Sequence, residues 1–101
     1  MCNNRFSDHK NKAIWDKTDG KCCYCGEQTI RYYVGKKGKY NNPLRATVEH
    51  LKTRASGGTD ATTNLIICCN RCNGLRGQLK IKTFRKRFKA EFKRDFYYSG
   101  I

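Results

Sequence analysis

The chain has 101 residues, with 22 Lys and Arg against 8 Asp and Glu, so its formal net charge is +14. So short a chain is expected to form one domain, residues 1–101, whose marginal core needs an additional crosslink. The charge predicts binding to a polyanion, above all a nucleic acid. No run approaches the roughly 18 apolar residues that span a bilayer. The polar start contains no secretory signal, so we expect an intracellular protein without a membrane partner.

The predicted elements indicate a small α+β fold. A short helix is predicted from Ser7 to about Thr18, and β-forming residues predict strands over Thr29–Val34 and Arg45–Leu51, with Val48 as the clearest core residue. A short apolar strand, Leu65–Cys68, leads into another helix. From about 78 to 97, phenylalanines recur mostly every four residues between lysines and arginines, which predicts a basic amphipathic helix packed on the domain.

Two pairs of cysteines with the same spacing predict a structural metal site. Two residues separate Cys22 from Cys25 and also Cys69 from Cys72, the spacing of a zinc knuckle. Four thiolates satisfy tetrahedral Zn²⁺ and leave no open position, so this ion would hold the fold and take no part in chemistry. Cys23 and Cys68 are alternative ligands, but their offsets suit a knuckle turn less well.

The stretch between the two knuckles resembles the zinc-containing HNH endonucleases. The resemblance covers about residues 12–80 and is carried by the following order of residues: Glu49 and His50, Gly57 and Gly58, Asn64, the second cysteine pair, and Asn73. It implies a ββα-metal core in which two strands and a helix surround one divalent cation. The predicted N-terminal and basic C-terminal helices would flank this core, and DNA would be the substrate, with RNA also open.

The resemblance assigns roles to the polar residues of this stretch. His50 would be the general base, since an imidazole can be neutral at cellular pH and accept a proton from water. Glu49 and Asn73 would supply oxygen ligands to a catalytic Mg²⁺ or Mn²⁺. Asn64 would hold the loop 52–63 through backbone bonds and so position His50. The basic neighbours expected to contact phosphates are Lys52, Arg54, Arg71 and Arg76.

The resemblance also leaves open points. Glu49 stands where the family more often has Asp, and Thr53 where a proline often follows the histidine. Adjacent strand residues face opposite sides, so either the backbone turns at Glu49 and His50, or metal and water flank the phosphate from two sides. A catalytically silent zinc module that binds nucleic acid and a protein-interaction domain remain alternatives. Small members often belong to phage, mobile-element or restriction assemblies.

Overall fold

The computed structural model describes residues 8–31 and 42–101. In these ranges the elements are helix α1 (Asp8–Asp16), strands β1 (Ala46–His50) and β2 (Leu65–Cys69), helix α2 (Asn70–Arg76) and helix α3 (Ile81–Phe92). The order β1, β2, α2 confirms the predicted small α+β core with helices on either side. The strand predicted over Thr29–Val34 extends beyond the described residues, and its described part contributes one parallel bridge, between Ile30 and Arg45.

The two strands form an antiparallel pair with two different faces. Ala46 lies opposite Cys69, and His50 lies opposite Leu65. One face packs against Ile14 of α1 through an apolar cluster that contains Ala46, Leu65 and Ile67. The other face directs Ile66 and Cys68 into a second cluster with the cysteine pairs and the phenylalanines of α3. Both faces of β2 are therefore covered, and all five of its residues are buried.

Burial along β1 differs from the prediction. Val48 is only partly buried at the edge of the α1 cluster. Thr47 and Glu49, on the other face, are the buried polar residues of the strand. Thr47 can be buried because its hydroxyl donates to the backbone oxygen of Cys68 at 3.0 Å.

The C-terminal region turns back onto the first cysteine pair. Helix α3 ends at Phe92 because Lys93 adopts a left-handed conformation with φ of 59°, so the helix is shorter than the predicted 78–97. The chain then pairs with the knuckle, where the Tyr97 amide donates to the Tyr24 carbonyl at 2.9 Å. This return brings the Phe96 ring to 4.7 Å from the Tyr24 ring.

The aromatic residues of this region fill the second cluster. Phe84, Phe88 and Phe96 are buried in it, which confirms that they pack on the protein. Their burial leaves the lysines and arginines of α3 to face solvent. No helix in the described part of the chain has the length and apolar character that crossing a bilayer requires.

Candidate functional site

The structure brings the two predicted cysteine pairs together. The Sγ atoms of Cys22, Cys25, Cys69 and Cys72 all lie within 4.8 Å of one another, and all four residues are buried. The sulfur atoms of Cys25 and Cys69 are 3.9 Å apart. Among the described residues, no other group of three or more His, Cys, Asp or Glu side chains has such an arrangement. The predicted ligands therefore converge, although 43 residues separate the two pairs in the chain.

Both knuckles use the same local turn. Cys22 Sγ accepts from the Cys25 amide at 3.5 Å, and Cys69 Sγ accepts from the Cys72 amide at 3.4 Å. These bonds orient the first sulfur of each pair toward the second. The first turn closes at Gly26, whose φ of 79° is readily adopted by glycine. The second turn leads directly into α2, for which Cys69 is the N-terminal cap.

Without a bound cation, the pKa values of the four thiols move in opposite directions. The hydrogen bond with Cys22 is the largest cause that lowers the pKa of Cys25 and the pKa of Cys69. The bond with Cys25 raises the pKa of Cys22, and the bond with Cys22 raises that of Cys72. Four thiolates this close repel one another, whereas a bound dication removes that penalty and allows all four to ionise. The donor set is compatible with a structural metal such as zinc.

Cys23 and Cys68, the alternative ligands, have a different environment. Both are fully buried in the second cluster. Burial raises the pKa of each thiol, which keeps it neutral. The Cys68 sulfur lies 3.2 Å from the Thr47 hydroxyl and is outside the four-cysteine group. These two residues act as small apolar side chains.

Asn64 ties together the loop between the strands. Its Oδ1 accepts from the Lys52 amide at 2.8 Å, and its Nδ2 donates to the carbonyls of Lys52 at 3.0 Å and Thr59 at 2.8 Å. The backbone bonds expected of this residue are thus present. The loop closes tightly, since a Cβ on Gly58 would lie 1.8 Å from the Lys52 carbonyl oxygen. Asn64 and Gly58 together fix the chain that leaves β1 after His50.

His50 is held by an acidic residue that the sequence reading did not single out. Its Nε2 lies 2.8 Å from Oδ1 of Asp60, and Arg54 donates to both carboxylate oxygens of Asp60, at 2.8 and 2.9 Å. The hydrogen bond with His50 and the nearby Arg54 lower the pKa of Asp60. The His50 side chain remains 18% exposed. An imidazole oriented by a carboxylate and still open to solvent can exchange a proton with water.

Glu49 lies in a buried polar cluster with Tyr24 and Arg76. Its Oε2 accepts from the Tyr24 hydroxyl at 2.8 Å and from Nη1 of Arg76 at 2.9 Å. Burial, followed by the charge of Glu49, raises the pKa of Tyr24, so the phenol stays protonated as a donor. The pair is almost sealed from water, with side-chain exposures of 1% for Arg76 and 11% for Glu49.

Glu49 and His50 make separate contacts on the two sides of β1. Glu49 contacts Tyr24 and Arg76, within the cluster that includes α2 and α3. His50 contacts Asp60, whose carbonyl accepts from Lys10 of α1 at 2.5 Å. This is the alternation expected of a regular strand. The backbone does not turn between Glu49 and His50, since both pair with β2; that metal and water flank the phosphate from two sides stays a prediction.

The oxygen donors predicted for a second cation are suitable in type. Carboxylate and amide oxygens are the ligands that Mg²⁺ and Mn²⁺ prefer. The hydrogen bonds from Tyr24 and Arg76 both go to Oε2 of Glu49, and Asn73 is a half-buried residue of α2. Arg76, however, already balances the charge of Glu49. Glu49 and Asn73 would therefore hold a hard cation more weakly than they would if the carboxylate had no cationic partner.

The four predicted phosphate contacts have different surroundings. Lys52 and Arg54 are exposed on the loop after β1. Arg71 is exposed on α2 and donates to the sulfur of Cys25 at 3.4 Å. The structure contradicts the prediction that Arg76 contacts phosphates, because the residue is only 2% exposed. Its guanidinium donates to Glu49, to Tyr24 and to the carbonyls of His50, Leu51 and Leu79.

Asp60 and Tyr24 are the polar partners that sequence reasoning missed. Asp60 lies ten residues after His50, in a polar loop whose spacing gives no sign of the contact. Tyr24 lies between the cysteines of the first knuckle, and the spacing of those cysteines gives no sign that Tyr24 contacts Glu49. The folded chain brings Asp60 next to His50 and Tyr24 next to Glu49.

Comparison with known proteins agrees with this geometry. A family model described as HNH endonuclease matches residues 22–78, which is more than half of the chain. The matched region contains both cysteine pairs, both strands and α2. It ends before α3. A search of curated proteins gives no significant match.

Proposed function

The chain belongs to the HNH endonuclease family, and we propose from this premise that it is a metal-dependent DNA endonuclease that hydrolyses phosphodiester bonds. HNH domains are generally nucleases that act on nucleic acids and usually employ divalent cations. The observation that carries the proposal is His50, a partly exposed imidazole at the end of β1 whose Nε2 is bonded to Asp60. Its neighbours make that position rigid.

His50 is the proposed general base. A neutral imidazole has one nitrogen that donates and one that accepts. With Nε2–H donating to Asp60, Nδ1 is the nitrogen that accepts a proton from the attacking water. The water oxygen bonds to phosphorus, its proton passes to Nδ1, and the bond from phosphorus to the 3′ oxygen breaks. Asp60 and Arg54 hold the ring, and the carboxylate stabilises the imidazolium that forms.

Glu49 and Asn73 are the proposed ligands of the catalytic cation, Mg²⁺ or Mn²⁺. When bound, such a cation polarises the phosphate and neutralises charge on the departing oxygen. With one carboxylate in the set, water and phosphate oxygens complete the coordination. Because Arg76 shares the carboxylate of Glu49, we expect half-maximal activity only at millimolar rather than micromolar cation.

Lys52, Arg54 and Arg71 are the proposed contacts to the phosphates beside the scissile bond. All three are exposed, and Lys52 and Arg54 lie on the loop that follows His50. Phosphate contacts of this kind position the backbone without reading its sequence. The enzyme would therefore show little sequence preference of its own. Participation in a phage, mobile-element or restriction assembly stays a prediction from the family resemblance.

A catalytically silent nucleic-acid-binding module is the second candidate. The observation in its favour is the ion pair of Glu49 with Arg76, which gives the carboxylate a cationic partner without any metal. In this reading the zinc-binding fold and the positive charge are retained, and hydrolysis is lost. It differs from the first candidate in one readout, cleavage.

A plasmid nicking assay distinguishes the two candidates. We expect the purified protein, with its metal content measured, to convert supercoiled plasmid to nicked circles in Mg²⁺ or Mn²⁺, and to stop when EDTA removes the added cation. Asn73→Ala should shift the cation requirement to higher concentration. A protein that retards DNA in a gel but cuts in none of several divalent cations would establish the silent module.

A further inference from the structure

Helix α3 presents positive charge that the fold itself does not use. Asp95 compensates two of its cations, since its carboxylate lies 2.9 Å from Arg85 and 3.6 Å from Lys89. The exposed Lys82, Lys86 and Arg87 form no ion pair with an acidic side chain in the described part of the chain. Positive charge left uncompensated on one helix favours an anionic partner.

Two surface grooves meet on this helix. The first, of about 760 Å³, lies between the loop after β1 and the start of α3, and Leu51, Lys52 and Lys80 line it. The second, of about 630 Å³, runs along α3 past Lys86 and Arg87. Lys82 and Thr83 line both grooves. The two grooves therefore adjoin at these residues, and we call the surface that they line the basic track.

The basic track starts at the loop that follows His50. Leu51 directly follows His50 in the chain, and Asn64, which fixes that loop, lines the same groove. On α3, Lys82 and Lys86 are one helical turn apart, which separates their Cα atoms by about 6 Å along the axis. Several cations spread along one surface complement a polyphosphate backbone better than a compact anion.

We propose that the basic track binds a nucleic-acid strand on one side of the scissile phosphate, outside the part of the chain that the family shares. This inference rests on the proposed function, whose substrate it extends. Lys52 and Lys80 hold the phosphates next to the site, and Lys82, Lys86 and Arg87 hold those farther along α3. The track contributes affinity and a minimum substrate length, and it contributes no base recognition.

Binding by a cleavage-deficient protein tests the basic track without requiring cleavage. In a His50→Ala background, each lost phosphate contact lowers the slope of log affinity against log salt by about 0.7–0.9. Fluorescence anisotropy should therefore give a slope smaller by about two to three units when Lys82, Lys86 and Arg87 are all changed to alanine. A control variant of equal charge change removes Lys12, which pairs with Asp16, together with Lys21 and Arg31, all three outside both grooves.

Substrate length provides a second readout. The parent should prefer strands of about sixteen over about four nucleotides, the range of site sizes for single-strand grooves, and the α3 variant should lose most of this preference. Equal slopes for the α3 variant and the control would overturn the basic track, as would tighter binding to anionic lipid vesicles than to DNA. A parent protein that never nicks plasmid but shows the predicted slopes loses the proposed function and keeps the track.

Discussion

At the scale of single residues, Arg76 joins three parts of the molecule. It pairs with Glu49 on β1 and donates to the carbonyls of His50, the last residue of β1, and Leu51, which follows it. It also donates to the Leu79 carbonyl before α3. Its five donor groups suit such a role, because a guanidinium can satisfy several acceptors in one plane. The residue thereby fixes the strand end from which His50 projects.

Removal of the Arg76 side chain should destabilise the protein strongly. Arg76→Ala leaves Glu49 buried without its ionic partner, and loss of one member of a buried pair costs about 3–5 kcal/mol. We expect this decrease in the free energy of unfolding, measured by urea denaturation at constant metal content. Exposed Arg87→Ala on α3 is the matched control and should change it by less than about 0.5 kcal/mol.

The double variant Arg76→Ala with Glu49→Gln separates charge from packing. It should recover part of the lost stability, because a neutral amide is less costly to bury than an unpaired carboxylate. An Arg76→Ala protein as stable as the Arg87→Ala control would contradict the buried ion pair.

The residue scale also shows what the sequence predicts well and what it does not. Asn64 makes the loop contacts expected of it because all its partners lie within twelve residues. The sequence predicts Arg76 as a phosphate contact, yet the residue is buried, because charge and position near a motif carry no information about burial. Tyr24 and Glu49 meet across 25 residues of chain, and such a contact depends on the packing of the whole molecule.

At the scale of elements, the cysteine knuckles are the part most completely predicted from sequence. Their spacing determines a local turn, and the turn points the sulfurs, so two short motifs suffice to place four ligands. The end of α3 was not predicted. Phenylalanine periodicity continues through Phe96, yet Lys93 leaves the helical conformation and Phe96 packs from a non-helical segment. Apolar spacing reports which residues are buried, and a helix is only one way to bury them.

Cysteine substitutions should separate ligands from bystanders. Cys72→Ser should abolish binding of one metal ion per chain and with it most cooperative unfolding, since structural zinc contributes about 10–16 kcal/mol in finger peptides. Cys68→Ala, one residue from the ligand Cys69 and equally buried, is the matched control and should retain the metal. Metal content by atomic emission and thermal unfolding measure both. Full occupancy in Cys72→Ser would refute the four-cysteine centre.

At the scale of the whole molecule, the region beyond the family match belongs to the same core. Phe84, Phe88 and Phe96 share one buried cluster with all four cysteines of the candidate metal site. Segment 97–98 adds backbone bonds to Tyr24 and Cys23 of the first knuckle. The C-terminal region therefore supports the metal site and also presents the basic track.

A shortened chain that ends at Gln78 should not fold. It keeps every residue of the family match but exposes the cluster that the three phenylalanines cover, and even one Phe→Ala change in a core costs about 3–5 kcal/mol. We expect no cooperative thermal transition by circular dichroism, with Phe88→Ala intermediate between this chain and the parent. A shortened chain that melts cooperatively with a bound metal ion would show that α3 is an independent addition.

The account as a whole depends on His50 as the proton acceptor, and its most direct test is a single-turnover cleavage rate. We propose measuring that rate on a labelled DNA duplex, in saturating Mn²⁺, for the parent and for His50→Ala with equal metal content and equal stability. General base catalysis contributes about 10²–10⁴-fold, so the account predicts that His50→Ala cleaves at least about a hundredfold more slowly while it binds the duplex as tightly as the parent. Cleavage by His50→Ala within about twofold of the parent rate would contradict it.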